Sequence, residues 1–566
     1  MTPYIMRAFF TCVLVSAILL SCNYKSQTAD VVFHNAQIID CDGMGIEEAT
    51  PGAIAVKDGR IVAIGPSQAI RNAFKADEFI DLKQAFIYPG FIDAHAHFLG
   101  YSLNKTKVDL VGTASYKEVL SRIVTFAESN IAPSNSLGWI TGRGWDQNDW
   151  QLSTYPTRHE LDSLFPNRPV SVRRIDGHAL LANNKALELS GVFDILKTDG
   201  PHIEGGEIIL LPDGSPSGVL VDEAADIVLN SIPEASASTK RHALIEAQKD
   251  LFAAGLTSVT DAGLDVSDIK LISDLHSSGD LQIRVIAMAS GTQPNLDSAF
   301  TIGPWRTDRL VAESIKFYMD GALGSRGAAL LEPYSDRPDF SGYLIQDSAS
   351  YRTALSTAYD LGFQVCTHGI GDKAVRHILE EYNAVLGGTN DRRWRIEHSQ
   401  VVTSDDLPLY ASASVIPSIQ PTHATSDMYW AGERLGKGRI RRAYRYEDLK
   451  NVLGMLPLGT DFPIEGIEPL KTFYAATIRK DSEGYPENGY YMDQALSRNS
   501  ALLGMTVWAS IANRTEAEAG SIEKGKWADF VVLDRNLLTT PEDQITNTQI
   551  IKTVVAGAIV YSNGKH

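Results

Sequence analysis

The 566-residue sequence has little cysteine: four residues, of which Cys12 and Cys22 lie in an N-terminal leader and only Cys41 and Cys366 remain in the body. Two thiols cannot make the disulfide framework that staples small exported domains, so buried apolar surface has to stabilise the fold. Positive charge is also scarce. Lys+Arg number 51 against 69 Asp+Glu, a net charge of −18, which argues against the phosphate-neutralising surface that a nucleic-acid partner would need. After the leader, no stretch approaches the 18 or so uninterrupted apolar residues of a membrane-spanning helix. Low-complexity tracts are missing as well. With 44% hydrophobic and 21% charged residues, the composition suits large cores and excludes the disordered and fibrous classes.

In the leader, Arg7 precedes an apolar run from Ala8 to Leu20, which fits a secretory signal and is too short to cross a bilayer. It ends in Leu19-Leu20-Ser21-Cys22, which resembles a bacterial lipobox, where Cys22 is acylated and becomes the new N-terminus. The alternative is an ordinary secretory signal with a coincidental cysteine. The expectation is a lipoprotein signal peptide over 1–22 and a tether over 23–29. The body would then be lipid-anchored at the membrane of the cell envelope, facing the periplasm. The oligomeric state stays open.

From Asp30 to Ala85 short alternating runs are punctuated by glycine turns, with Lys57-Asp58-Gly59 between Ala53–Val56 and Ile61–Ile64 reading as a hairpin. The same texture returns in Trp527–Asp534, Thr553–Gly557 and Ile559–Tyr561. Edge pairing between the two ends would bury faces that neither could bury alone, which predicts one small β-sandwich from 30–86 and 510–566. Between them, apolar runs alternate with helix-length segments, the pattern of βα repeats around a parallel sheet. Eight runs qualify: Phe86–Ala94, Leu256–Asp261, Ile283–Met288, Ser314–Tyr318, Phe363–Thr367, Trp394–Glu397, Val415–Gln420 and Val452–Leu458. Eight is the number that closes a (β/α)8 TIM barrel, here over 87–509, and the long gap after the first run predicts an inserted lobe over about 105–235.

Active sites of such barrels lie at the C-terminal ends of the strands. There His95-Ala96-His97 follows the first run, and residues i and i+2 of an extended segment point to one side, so two imidazoles can hold one metal. Alone, the pair reads first as two satisfied polar histidines. Recurrence changes the weighing: Lys316 lies in the fourth run, His368 ends the fifth, His398 ends the sixth and Asp461 follows the eighth. In the lobe, Arg173-Arg174-Ile175-Asp176-Gly177-His178 offers Arg173 and His178 for a substrate carbonyl or carboxylate, or simply makes a turn. Trp139, Trp145, Trp150 and Tyr155 suit packing better than a pocket wall, Cys366 reads as core, and His423 is a candidate for substrate contact or a polar rim residue.

These residues resemble the amidohydrolase superfamily of metal-dependent hydrolases. Tyr88-Pro89-Gly90-Phe91-Ile92-Asp93-Ala94-His95-Ala96-His97 is similar to its opening motif and Gly525-Lys526-Trp527-Ala528-Asp529-Phe530 begins a segment similar to its closing one. Ser314–Gly321, Thr367–Ala374, Arg395–His398 and Gly459–Pro463 look like the branch that includes N-substituted formamide deformylases. The resemblance implies two divalent metal ions, with His95 and His97 on one, His368 and His398 on the other, and Lys316 bridging them. A free ammonium has donors only, so the implied bridge is a Lys316 carboxylated by CO₂. An ordinary barrel lysine paired with a carboxylate is the alternative. Asp461 is implied as both ligand and catalytic base, with zinc the first choice of metal and manganese or iron also suited. The expected activity is hydrolysis of a carbon–nitrogen bond (amide, N-formyl or N-acyl) of a small molecule by metal-activated hydroxide. Deamination or opening of a cyclic amide would use the same site. A catalytically inactive metal- or solute-binding lipoprotein is the reading from another class, and it has no need of Asp461 or Lys316.

Overall fold

The computed structural model describes residues 27–564 apart from 43–44, 47, 129–137, 176 and 204–205, so the leader and Cys22 lie outside the described residues. Among the described residues, no helix is long and apolar enough to cross a membrane.

Both ends of the chain meet in one eight-stranded sheet. Its path runs Ala558–Ser562, Ile550–Val555, Phe530–Leu533, Phe86–Pro89, Gln27–Ile38, Thr50–Lys57 and Arg60–Gly65, with Phe74–Asp81 also beside Gln27–Ile38. The junction is the antiparallel register Phe530↔Pro89 to Leu533↔Phe86. The hairpin at Asp58-Gly59 forms as its residue types demand, with φ of 50° and 74°, the two left-handed residues of a type I′ turn. The first strand starts at Gln27 and its residues 27–29 pair with Phe74–Ala76, so three residues expected in the tether belong to the sheet.

The barrel is a parallel sheet of Phe91–Ala96, Leu256–Leu264, Arg284–Ser290, Leu310–Tyr318, Gln364–Gly369, Arg395–His398 and Ile416–Ser418, the first to seventh strands. The segment around Leu458 closes it as the eighth, since Ala94 N–H donates to Leu458 O at 3.1 Å and Gly459 N–H to Ile419 O at 3.0 Å. Strands buried on both faces favour continuous apolar runs, and Val285–Ala289 is buried throughout.

Two expected runs are differently divided. Phe86–Ala94 is two strands in two sheets, split at Gly90, where a Cβ would lie 2.2 Å from Thr257 Oγ1; only a glycine lets the chain pass. Val452 and Leu453 end the helix Tyr446–Leu453, which stops at the left-handed Gly454, and the eighth strand begins beyond them.

The inserted lobe has its own seven-stranded sheet, from Val108–Asp109 to Pro216–Asp222, followed by the helix Glu223–Leu229. Trp145 and Trp150 sit in an apolar cluster with Val119, Ile123 and Val172, and Trp139 in a second with Leu180, Leu187 and Val228. These tryptophans therefore fill the cores of the lobe itself.

Candidate metal centre

The C-terminal ends of the barrel strands gather His95, His97, Lys316, His368, His398 and Asp461, and they add His423 from the helix Pro421–Asp427 that follows the seventh strand. Ring centroids of His95 and His398 are 4.9 Å apart, and those of His368 and His398 4.5 Å. His398 and Asp461 have φ of 72° and 63°, left-handed values that are uncommon outside glycine. Each turns its side chain inward where the strand ends, and such strain collects at functional sites.

Three imidazoles are fixed through Nδ1. His95 Nδ1 lies 2.6 Å from Glu397 Oε2, His97 Nδ1 2.9 Å from Ala262 O, and His398 Nδ1 2.7 Å from Gln420 Oε1. A carbonyl and an ionised carboxylate can only accept, so His95 and His97 must donate from Nδ1 and present the Nε2 lone pair to the centre. Burial, then the nearby Lys316, pushes His95 down to about 4. His368 is pushed down to about 3 by the same causes, and His398 also lies well below its ordinary value. They are neutral at pH 7, the form that binds metal.

Asp461 faces these rings from the barrel closure. Its Oδ1 is 3.1 Å from His97 Nε2 and 3.6 Å from His95 Nε2, and its Oδ2 is 3.5 Å from His423 Nε2. Burial works to raise this carboxyl, yet the facing imidazoles, His97 foremost, hold it well below the carboxylate range. Lys316 is fully buried with Nζ 3.5 Å from His95 Nε2 and 4.6 Å from the Tyr318 ring centre. Burial lowers its pKa, and among the described residues it makes no salt bridge, which separates it from an ordinary paired lysine.

A divalent cation fits what the residues leave open. Asp461 Oδ1, His368 Nε2 and His423 Nε2 are buried without a hydrogen-bond partner, and unsatisfied atoms of metal-ligating types gathered in one place fit a missing positive charge. Ligand atoms of His95, His97 and Asp461 lie within 4.8 Å of one another, as do those of His398, His423 and Asp461.

Several supporting residues were not singled out from sequence. Glu397 accepts from His95 and from Arg395, which is itself fully buried and donates to Ala94 O at 2.6 Å and Asn513 Oδ1 at 2.9 Å. Asp93 accepts the His95 and Thr460 N–H groups and the Thr460 hydroxyl, tying the first strand to the eighth. Asp320 accepts from Ala329, Ile370 and Gly371 N–H and lies 3.5 Å from His368 Nε2. The one available signal was alternation, since Arg395 and Glu397 are two apart in a strand and share a face.

Not every candidate joins the cluster. Arg173 donates to Gly177 O and His178 pairs with Asp222 at 2.7 Å, contacts made within the lobe. Cys366 packs with Ala262 and Met288, and burial pushes its thiol up to about 12, as a core residue requires.

The sequence matches the profile of the amidohydrolase family over residues 78–561. It is 31% identical over 554 residues to Protein LONG AFTER FAR-RED 3 of Arabidopsis thaliana, covering 94% of this chain and 92% of that one. It is 26% identical to the N-substituted formamide deformylase of Arthrobacter pascens, covering 95% and 99%. Among solved structures it is similar to an uncharacterized metal-dependent hydrolase of Pyrococcus horikoshii OT3, with a TM-score of 0.74, 27% identity and coverage of 90% and 99%.

Proposed function

The chain belongs to the amidohydrolase family, and from that premise we propose that it releases an amine from a small molecule by hydrolysing an amide, N-formyl or N-acyl group. It is an enzyme acting on carbon–nitrogen bonds other than peptide bonds, and it requires a divalent metal. The observation that carries the finer reading is the meeting of two Nε2-presenting imidazoles, His95 and His97, with the buried Asp461 carboxylate at the barrel mouth.

His95, His97, His398 and Asp461 are the residues that would hold the metal. A carboxylate as acidic as Asp461 is a weak base, and a bound divalent cation supplies what it lacks by lowering the pKa of water and polarising the scissile carbonyl. Asp461 is ionised at neutral pH, so it accepts the proton of the attacking water. When the tetrahedral adduct collapses, it returns that proton to the leaving nitrogen, which must be protonated to depart. Glu397 and the Ala262 carbonyl keep His95 and His97 from turning their N–H groups towards the reaction.

Burial lowers the Lys316 pKa and so favours the neutral amine, the form whose nitrogen lone pair adds to CO₂ and loses a proton to give a carbamate. Two anionic oxygens would then replace a donor-only group beside His95, which supports a two-metal site with Lys316 as a bridge. The test is elemental analysis of the purified protein together with turnover on a panel of N-formyl and N-acyl amines. Lys316→Ala should lose bound metal and the carbamate carbon resonance seen after ¹³C-bicarbonate labelling. Asp461→Asn should lose roughly 10³-fold or more in kcat. Wild-type metal content and turnover in both variants would sink the reading.

A further inference from the structure

His423 lies closer to the metal ligands than a substrate contact needs to. Its side chain is 13% exposed, and its Nε2 is buried without a hydrogen-bond partner. That nitrogen faces Asp461 Oδ2 at 3.5 Å, while Asp461 Oδ1 faces His97 and His95. The His423 ring is nearly parallel to that of His398, 20° apart in plane with centroids 6.0 Å apart. Gln420, at the start of the same helix, receives the His398 Nδ1–H. The helix therefore both orients one imidazole and supplies another.

The spacing separates a ligand from a hydrogen-bonding partner. An imidazole donating to a carboxylate sits at about 2.7–2.9 Å, and 3.5 Å is too long. Two atoms each about 2.0–2.1 Å from a tetrahedral cation stand roughly 3.3 Å apart, close to the His423–Asp461 gap. His97–Asp461 at 3.1 Å and His95–Asp461 at 3.6 Å bracket that figure. Asp461 thus belongs to two groups of potential ligands, one with His95 and His97 and one with His398 and His423, and its Oδ2 is the oxygen that faces His423.

We infer that His423 is a metal ligand, forming with His398 and Asp461 a second cation site beside the His95–His97 site. This replaces the substrate contact expected from sequence, and it rests on the metal-dependent reading above.

The experiment loads metal-free protein with cobalt(II), measuring bound cobalt by elemental analysis and its coordination by visible absorption, in the wild type, His423→Ala, His423→Gln and His95→Ala. The His423 variants should bind about one equivalent less than the wild type, with altered bands, and His95→Ala should lose cobalt from the other site. Wild-type stoichiometry and spectrum in the His423 variants, with cobalt lost in His95→Ala, would overturn the assignment alone. Cobalt retained in all variants would remove the metal reading with it. If the variants fail to fold, diethylpyrocarbonate labelling of the wild type decides. His423 protected by cobalt and modified without it supports ligation; equal modification in both states overturns it.

Discussion

Glu397 touches no candidate substrate position, yet it sets the state of the residues that do. Burial alone would raise its carboxyl, but Arg395 and His95 on either side hold it well below the usual range. It remains charged in a place fully closed to water, where a charge survives only when paired. Glu397→Gln keeps the shape and removes the charge. One neighbour then loses an acceptor, and the Arg395 guanidinium is left uncompensated. Metal affinity should fall about 10–100-fold, the usual effect of losing a partner behind a ligating histidine. Stability should fall by about 3–5 kcal/mol, as when one member of a buried pair is removed. Chelator competition and the denaturation midpoint measure the two effects, and unchanged values of both would refute this role. The metal-binding histidines were legible in the sequence because His-x-His and the isolated histidines recur at strand ends. Glu397 was not, although it adjoins His398, because its partner His95 is 302 residues away and only the closed barrel brings them together.

Strands and helices show a similar division. The second to seventh runs were readable because strands covered on both faces are rich in apolar residues. The eighth was not, because Val452 and Leu453 satisfy a helix face as well as a strand, and the change of structure falls at Gly454. Likewise Phe86–Ala94 reads as one run, and nothing in its apolarity marks the crossing between sheets at Gly90. The eighth strand compensates for its shortness by close approach. A Cβ on Gly459 would stand 2.5 Å from His95 N, 2.8 Å from His95 O and 2.9 Å from Asp93 Oδ1. Two of these atoms are backbone and cannot turn aside, so Gly459→Ala would push the first and eighth strands apart beside both metal-facing histidines. The cost expected from overpacking is about 1–3 kcal/mol or more. The variant should therefore unfold at lower urea concentration and bind less metal than the wild type. A substitution tolerated on both counts would show that the barrel closure yields more easily than its hydrogen bonds imply.

At the scale of the whole molecule, a buried ion pair is among the contacts that join the barrel to the sheet built from both chain ends. Arg284, in the third barrel strand, donates to both oxygens of Asp529, which precedes the terminal-sheet strand Phe530–Leu533. The pair is nearly closed to solvent, with side chains 8% and 4% exposed. Trp527 lies over the guanidinium at 4.3 Å, and Asp529 also accepts the Ala556 N–H that holds the last hairpin. Asp529 O receives Gly90 N–H at 3.0 Å, where the chain passes between the sheets. One residue thus ties together the barrel, the crossing and both ends of the chain. Asp529→Ala removes the only carboxylate on Arg284 among the described salt bridges and orphans a hairpin donor, so the loss expected is about 3–5 kcal/mol. Arg284→Ala with Asp529→Ala should cost less than the two single changes added together, because the double variant leaves no buried charge unpaired. Urea denaturation of the four proteins gives the coupling energy directly. Strict additivity would mean that the ion pair contributes no coupling between the two bodies.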